Sequence, residues 1–139
     1  MNNKNSDFAS QAKSSHSQSQ VGSFGKTLAQ VCRQLELDYF SANDKQLAKE
    51  IGLIIAEMYV SPPRMGIRTN RGILPAWQVK EVYQLLTHDH IAYVIEHFRA
   101  VPYRINSIRS YLRTALYNSV FELEAGTVNA VRADMPTLK

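Results

Sequence analysis

Apolar residues recur with the spacing of amphipathic helices from about Lys26 onward. In the first segment they stand at i, i+3, i+4 and i+7, which places them on one helix face; they are Leu28, Val31, Cys32 and Leu35. A second segment can be capped by Ser41 or Asn43 and ends at Ser61-Pro62-Pro63, because proline cannot continue a helix. Its apolar positions are Leu47, Ile51, Ile54, Ile55 and Met58. The pattern therefore predicts two helices in this part of the chain.

Helical spacing is lost between Pro63 and Pro75, where short apolar arms flank the turn-forming sequence Asn70-Arg71-Gly72. This arrangement predicts a small β-hairpin. Three more helices follow: Pro75 fits the first turn of one, Thr87 can cap the next, and the last spans about residues 105–119. Their apolar positions include Trp77, Val79, Val82, Tyr83 and Leu86, then Ile91, Val94, Ile95 and Phe98, then Ile105, Ile108, Leu112, Ala115 and Leu116. The sequence thus predicts an all-α fold, a bundle of about five helices with a small β-hairpin between helices 2 and 3.

The first residues of the chain differ in composition from the rest. Thirteen of the twenty-two residues 2–23 are Ser, Asn or Gln. Such a segment cannot bury enough apolar surface to offset its ordering entropy, so we expect residues 1–24 to be a disordered leader or linker. We expect a helical domain over residues 25–119 and a partly disordered C-terminal tail over residues 120–139. The chain is then either a domain excised from a longer protein or a protein with a flexible leader.

The composition narrows the class of protein. A length of 139 residues suits one domain. The longest apolar stretch, Ile51 to Val60, has ten residues and contains Glu57, so it is too short to span a membrane. The N-terminus lacks the pattern of a signal peptide, and the single cysteine, Cys32, cannot form an internal disulfide. We expect a cytoplasmic protein without a membrane partner.

The basic residues are concentrated in the middle and later part of the chain. The formal net charge is +4, and residues 64–113 alone contain eight bases against three acids. This excess favours a polyanionic partner, since arginine pairs well with phosphate oxygens. The first candidates lie within the stretch from His97 to Val120, which contains no acidic residue; they are Arg99, Arg104, Arg109 and Arg113. A secondary basic patch on the hairpin consists of Arg64, Arg68 and Arg71.

Alternative roles exist for these residues. The arginines can instead form a solvated helix face, with the aliphatic parts of their side chains covering the core. Tyrosines near them could stack on nucleic-acid bases, or they could pack in the core or in an interface at their helical spacing. These tyrosines are Tyr103, Tyr111 and Tyr117.

Motifs for catalysis or cofactor binding are missing from the sequence. His88-Asp89-His90 and His97 suggest metal binding, but His88 and His90 point in different directions on a helix, and no further ligand set accompanies them. No phosphate loop, dinucleotide-binding glycine motif or nucleophile elbow is present. Cys32 lies on an apolar stripe, as expected of a packed thiol. We therefore predict no enzymatic activity, no cofactor and no metal site.

The helix from Arg104 to Asn118 carries a family resemblance. Its sequence Asn-x-Ile-x-x-Tyr-Leu-x-Thr-x-Leu-Tyr-Asn resembles the C-terminal domain of the replication initiator protein A (RepA) family of Gram-positive plasmids and mobile elements. The hairpin segment, the helix opened by Pro75 and the segment from His90 to Ile95 are similar too, so the match covers about residues 26–119. The resemblance adds Asn118 to the candidate DNA- or partner-binding residues.

The resemblance implies a helical fold similar to the DnaD-type replication-restart domain. It also implies a role in replication initiation through DNA, the host primase or the helicase-loading machinery. In DnaD-type domains a terminal Tyr-x-x-x-Ile-x-x-x-Trp helix is associated with DNA binding; Tyr111 matches its tyrosine, whereas Ala115 and Ser119 occupy the later positions. Origin recognition in that family belongs to a separate winged-helix domain, so we do not expect it of these 139 residues.

The leading hypothesis is a non-enzymatic DNA-replication initiation module that binds a replication protein, such as primase or a helicase loader, or DNA. The first alternative is a protein adaptor or homo-oligomerisation domain of a mobile-element protein, without DNA contact. A second is a small mobile-element regulator that acts outside replication.

Overall fold

Five helices and one two-stranded hairpin make up the part of the chain that the computed structural model describes, residues 23–133 for the backbone and 23–126 for the side chains. The helices are α1 (23–34), α2 (Ala42–Val60), α3 (Ala76–Tyr83), α4 (His88–Ala100) and α5 (Ile108–Ala133). The strands are β1 (Gly66–Thr69) and β2 (Gly72–Pro75). The fold is mostly helical, with the hairpin between α2 and α3, which confirms the predicted fold class.

Helix α2 lies at the centre of the hydrophobic core and contacts each of α3, α4 and α5. Its apolar stripe is buried as the sequence predicts, and each fully buried side chain contributes about 1.5–3 kcal/mol relative to exposure. The largest side chains less than 2 % exposed include Leu35, Ile51, Ile55, Tyr83, Ile91, Leu112 and Leu116. Gly52 permits a close approach, because a Cβ there would stand 2.7 Å from a methyl carbon of Leu37.

The first strand of the hairpin buries one of its faces and exposes the other. In the antiparallel register Ile67 faces Leu74 and Arg68 faces Ile73. Ile67 is buried against the helices, whereas Arg68 and Ile73 are exposed. The turn is closed by Thr69, whose hydroxyl donates to the Gly72 carbonyl at 2.9 Å. Gly72 has φ of 98°, a conformation that favours glycine.

Helix α5 differs from its predicted extent of about residues 105–119. It begins at Ile108, since Ser107 caps it: the Ser107 carbonyl accepts from Tyr111 N and its hydroxyl accepts from Ser110 N. It continues to Ala133, beyond the last apolar stripe. Residues 121–133 include three alanines and two glutamates, residue types that favour a helix by intrinsic propensity. The predicted leader lies outside the described residues except for Ser23 and Phe24, which belong to α1.

None of the helices in the described part of the chain has the length and apolar character needed to cross a membrane.

Candidate functional site

Two of the four candidate arginines are paired with carboxylates of α2. The Arg99 Nη2 atom lies 2.6 Å from Asp44 Oδ1 and also donates to the Asn43 carbonyl at 2.7 Å. Arg109 donates to Glu50 Oε1 at 2.7 Å and to Glu57 through its other terminal nitrogen. These contacts tie α4 and α5 to α2. The carboxylates that neutralise these arginines belong to α2. The positive charge of Arg99 and Arg109 is therefore compensated in the folded chain, although the sequence around them contains no acidic residue.

The other two candidates lie apart from each other. Arg104 is exposed in the connection between α4 and α5. Arg113 is half-buried on α5 and lines a small pocket beside Met65, Gly66 and Ile67. Arg104 shares the lining of another pocket with Arg109, so the four arginines differ in their partners and in the pockets that they line.

The candidate tyrosines have different environments. Tyr117 is only 3 % exposed and its hydroxyl accepts a hydrogen bond from Gln78 Nε2 at 3.3 Å, so it packs in the core. Tyr111 is half-buried, with its ring centroid 5.9 Å from that of Phe98. Tyr103 is 66 % exposed. Stacking of a base on Tyr117 would require the core to open.

The hairpin arginines, Arg64, Arg68 and Arg71, are all exposed. Each ion pair formed within residues 23–126 involves Arg99 or Arg109, so no carboxylate there pairs with a hairpin arginine. Arg71 instead places its guanidinium carbon 4.9 Å from the ring centroid of Phe121 and 5.8 Å from that of Tyr117. Such cation–π contacts hold the side chain, and no carboxylate within residues 23–126 forms an ion pair with it.

A cavity of about 530 Å³ lies between α4, α5 and the end of β1. Its α5 wall is a row of polar residues at intervals of four, which we call the polar row: Ser110, Thr114, Asn118 and Glu122. The α4 wall consists of Tyr93, Val94 and His97, and the hairpin contributes Arg68, Thr69 and Asn70. Tyr111 and Ala115 complete the lining. This volume falls within the range of small-molecule sites.

Hydrogen bonds connect the walls of the cavity. The Tyr93 hydroxyl donates to Glu122 Oε2 at 2.9 Å, and Asn118 Nδ2 donates to Asn70 Oδ1 at 3.2 Å. Burial, and the hydrogen bond to the Glu122 carboxylate, raise the pKa of Tyr93. Burial also raises the pKa of Tyr111. Both phenols therefore stay neutral near neutral pH.

The side-chain carbonyl oxygen of Asn118 accepts no hydrogen bond from the described residues. This Oδ1 atom is buried, and no donor among the described residues lies within hydrogen-bonding distance. A buried acceptor left without a partner costs free energy, so most such atoms in proteins are satisfied by a partner or a water. The atom lies beneath the surface of the cavity, where a donor from a ligand reaches it only if neighbouring atoms move.

Sequence reasoning identified Arg68, Tyr111 and Asn118 but missed the rest of the cavity. The available signal was the repeat of polar residues every four positions on α5, interleaved with the buried Leu112 and Leu116. Such a row on a helix that packs against a neighbouring helix indicates a gap between the two helices that holds water or a ligand. The α4 wall offered no comparable signal, because the spacing of Tyr93 and His97 is also typical of packing.

The histidines have local partners. His88 Nδ1 lies 2.9 Å from the Leu35 carbonyl oxygen, and its ring stacks on Phe40 at 4.2 Å. His90 forms a capping box with Thr87 at the start of α4. Within the described residues, no three His, Cys, Asp or Glu side chains are grouped so that they could hold a metal ion. Burial and the nearby Asp38 raise the pKa of Cys32, which disfavours the reactive thiolate.

Neither a protein-family model nor a curated protein nor a solved structure matches this chain. The resemblance of its last helix to the replication initiator family therefore stays a prediction.

Proposed function

We propose that the chain is a non-enzymatic DNA-replication initiation module that contacts DNA through the hairpin arginines. The supporting observation is the contrast between two sets of arginines. Arg99 and Arg109 are paired with carboxylates of α2, whereas the hairpin arginines have no acidic partner among the described residues. Phosphate oxygens can take the donors of an arginine that has no internal carboxylate. The secondary basic patch thus becomes the primary candidate surface.

The side chain of Arg71 is already restrained in a position from which it can contact a phosphate. The rings of Tyr117 and Phe121 restrict its guanidinium, while the residue as a whole remains exposed. A guanidinium held against an aromatic ring keeps its in-plane N–H donors and loses less side-chain entropy on binding. The replication role itself rests on the resemblance of the last helix. It implies action in the cytoplasm beside a replication protein such as primase or a helicase loader.

The test is fluorescence anisotropy with labelled DNA across a salt series. If three arginines contact phosphates, log K falls with log salt at a slope of about −2 to −3. We expect the double variant Arg68→Glu with Arg71→Glu to lower the affinity at least about tenfold and to reduce the slope by about 2.

The matched control is Lys45→Glu with Lys49→Glu, which makes the same change in net charge. Both lysines are exposed on α2, about 16–22 Å along the helix from the end that precedes the hairpin. An equal loss of affinity in both double variants would show non-specific attraction, and absence of binding at low salt would refute DNA as a partner.

A protein adaptor is the second candidate, favoured by exposed apolar residues at the base of the hairpin. Met65, Ile73 and Trp77 are 43 %, 66 % and 48 % exposed. They lie on adjacent segments, since Ala76 N donates to the Met65 carbonyl and Ile73 lies over Gly66. Exposed apolar groups that lie close together are typical of protein-binding surfaces.

Trp77 gives this alternative a direct measurement, because it is the single tryptophan of the chain. Titration with a purified replicative primase or helicase loader should shift its fluorescence emission to the blue if the partner covers it. Replacing Trp77 with alanine should then weaken the complex at least about tenfold, as for a central interface aromatic. Unchanged emission together with salt-dependent DNA binding would leave DNA as the supported partner.

A further inference from the structure

We propose, resting on the DNA-binding function above, that the cavity between α4, α5 and β1 binds one unpaired base of a DNA strand whose backbone lies along the hairpin arginines. Arg68 connects the two sites, since it belongs to the hairpin arginines and also lines the cavity. A strand held by its phosphates at Arg68 thus has a base-sized opening directly beside it.

The size and lining of the cavity fit a nucleobase. About 530 Å³ of space is enough for a base with its sugar. The apolar part of the lining includes Tyr93, Tyr111 and Val94, and aromatic side chains are the usual stacking partners of unpaired bases. The Tyr93 and His97 rings already contact each other, with centroids 4.0 Å apart, which holds this wall in place.

The polar atoms of the cavity select the kind of base. Glu122 is exposed at the end of the polar row, and its Oε2 accepts the Tyr93 hydroxyl at 2.9 Å. A carboxylate has two oxygens with about four acceptor positions, so it can accept further N–H groups. The two oxygens of this carboxylate therefore suit a ligand edge with two adjacent N–H donors.

Guanine satisfies this requirement best. Its N1–H and 2-amino group form a pair of neighbouring donors that a carboxylate accepts together, whereas thymine offers a single N3–H. Arg68 and the hydroxyls of Ser110 and Thr114 remain as donors for the guanine carbonyl and for phosphate. The cavity is thus expected to prefer guanine over thymine in single-stranded DNA.

The test titrates the full 139-residue chain with 2′-deoxyguanosine monophosphate and, separately, thymidine monophosphate, followed by amide chemical shifts. We expect the guanine nucleotide to bind at least about tenfold more tightly, as for one or two hydrogen bonds. It should shift the amides of Tyr93, Asn118 and Glu122. Equal affinities, or shifts confined to residues outside the cavity, would overturn the proposal.

One substitution and its control test the carboxylate. Glu122→Gln replaces one acceptor oxygen by a donor but still leaves an acceptor for Tyr93, so it should weaken guanine nucleotide binding about tenfold and reduce the guanine preference. Gln46→Leu, at an exposed position of α2, should change neither. Unchanged binding in Glu122→Gln would refute the assignment.

Oligonucleotides separate this proposal from the proposed function. If a single strand binds in a manner that depends on Arg68 and Arg71 but neither mononucleotide enters the cavity, the base pocket is refuted and the DNA surface stands. If the guanine nucleotide binds in the cavity but no oligonucleotide binds, the pocket stands as a nucleotide site and the DNA function is refuted. A guanine-rich strand that binds more tightly than oligothymidine, with the difference lost in Glu122→Gln, supports both.

Discussion

The Tyr83 hydroxyl donates a hydrogen bond of 2.7 Å to the backbone carbonyl of Arg113, which joins the end of α3 to the second turn of α5. Tyr83 is 1 % exposed, and burial raises the pKa of its phenol far above the usual value. The hydroxyl is therefore a permanent donor. This bond holds the arginine-bearing helix in its position relative to the hairpin that precedes α3.

Tyr83→Phe is expected to lower the free energy of unfolding by about 1 kcal/mol, because it removes this hydrogen bond and keeps the ring packing. Urea denaturation followed by circular dichroism measures the change. Tyr39→Phe is the control, since Tyr39 is 81 % exposed. Equal midpoints for Tyr83→Phe and the parent chain would show that the bond contributes nothing net.

Arg109→Met should reduce stability rather than DNA affinity. It leaves Glu50 and Glu57 of α2 without the cation that they share, at a cost of about 1 kcal/mol for a partly exposed pair of contacts. Arg68→Met should show the opposite pattern, with weaker DNA binding at unchanged stability. Measuring both quantities on both variants checks the assignment, and a loss of affinity limited to Arg109→Met would return the DNA surface to α5.

The capping box of α4 predicts a pH dependence. His90 Nδ1 accepts from Thr87 N at 2.9 Å, which requires an unprotonated nitrogen. Burial lowers the pKa of His90 below 6.5, partly opposed by Asp89. Since the unfolded chain takes up a proton first, this contribution to stability is complete above pH 6.5 and is lost as the pH falls from there through the folded-state pKa.

His90→Gln isolates this contribution from that of the other histidines. Glutamine at this position also completes a capping box but does not titrate. The difference in unfolding free energy between the parent chain and His90→Gln should therefore change as the pH is lowered through 6 and stay constant above about pH 7. Parallel stability curves over this whole range would contradict the role given to His90.

Glu36 adopts a left-handed conformation after α1, with φ of 52° and ψ of 45°. Glycine is the preferred residue there because a side chain costs about 1–2 kcal/mol. Glu36→Gly removes this cost but gives the unfolded chain more conformational entropy, which opposes folding. The net effect should be a rise of about 0.5–1 kcal/mol in the free energy of unfolding. Thermal and urea unfolding measure the gain. Glu36→Ala should give no such gain, since alanine keeps the Cβ.

Local patterns in the sequence were sufficient for much of the fold. The apolar spacing around Ile51 and Ile55 reflects burial of one face of α2, and Asn70-Arg71-Gly72 marks a turn that needs glycine. The end of α5 escaped this reasoning, because a helix can continue on propensity alone once its buried stripe has ended. Helix existence was thus predictable from periodicity, whereas helix length was not.

The candidate site was less accessible to sequence reasoning. The carboxylates that pair with Arg109 lie 59 and 52 positions earlier in the chain, so no local pattern reveals that its charge is compensated. Burial of Tyr117 and exposure of Arg71 above it are likewise set by the docking of the hairpin on α5. These contacts depend on how distant elements meet, which a single sequence does not encode in a short window.

The polar row on α5 has a direction as well as a composition. Four residues make slightly more than one turn, so each successive member advances about 40° around the helix, and the row is inclined by about 26° to the axis. From Ser110 to Glu122 it covers about 18 Å along the helix. A molecule bound along the row would therefore cross α5 diagonally, and its contacts with the row would end at Glu122, which is hydrogen-bonded to Tyr93 of α4.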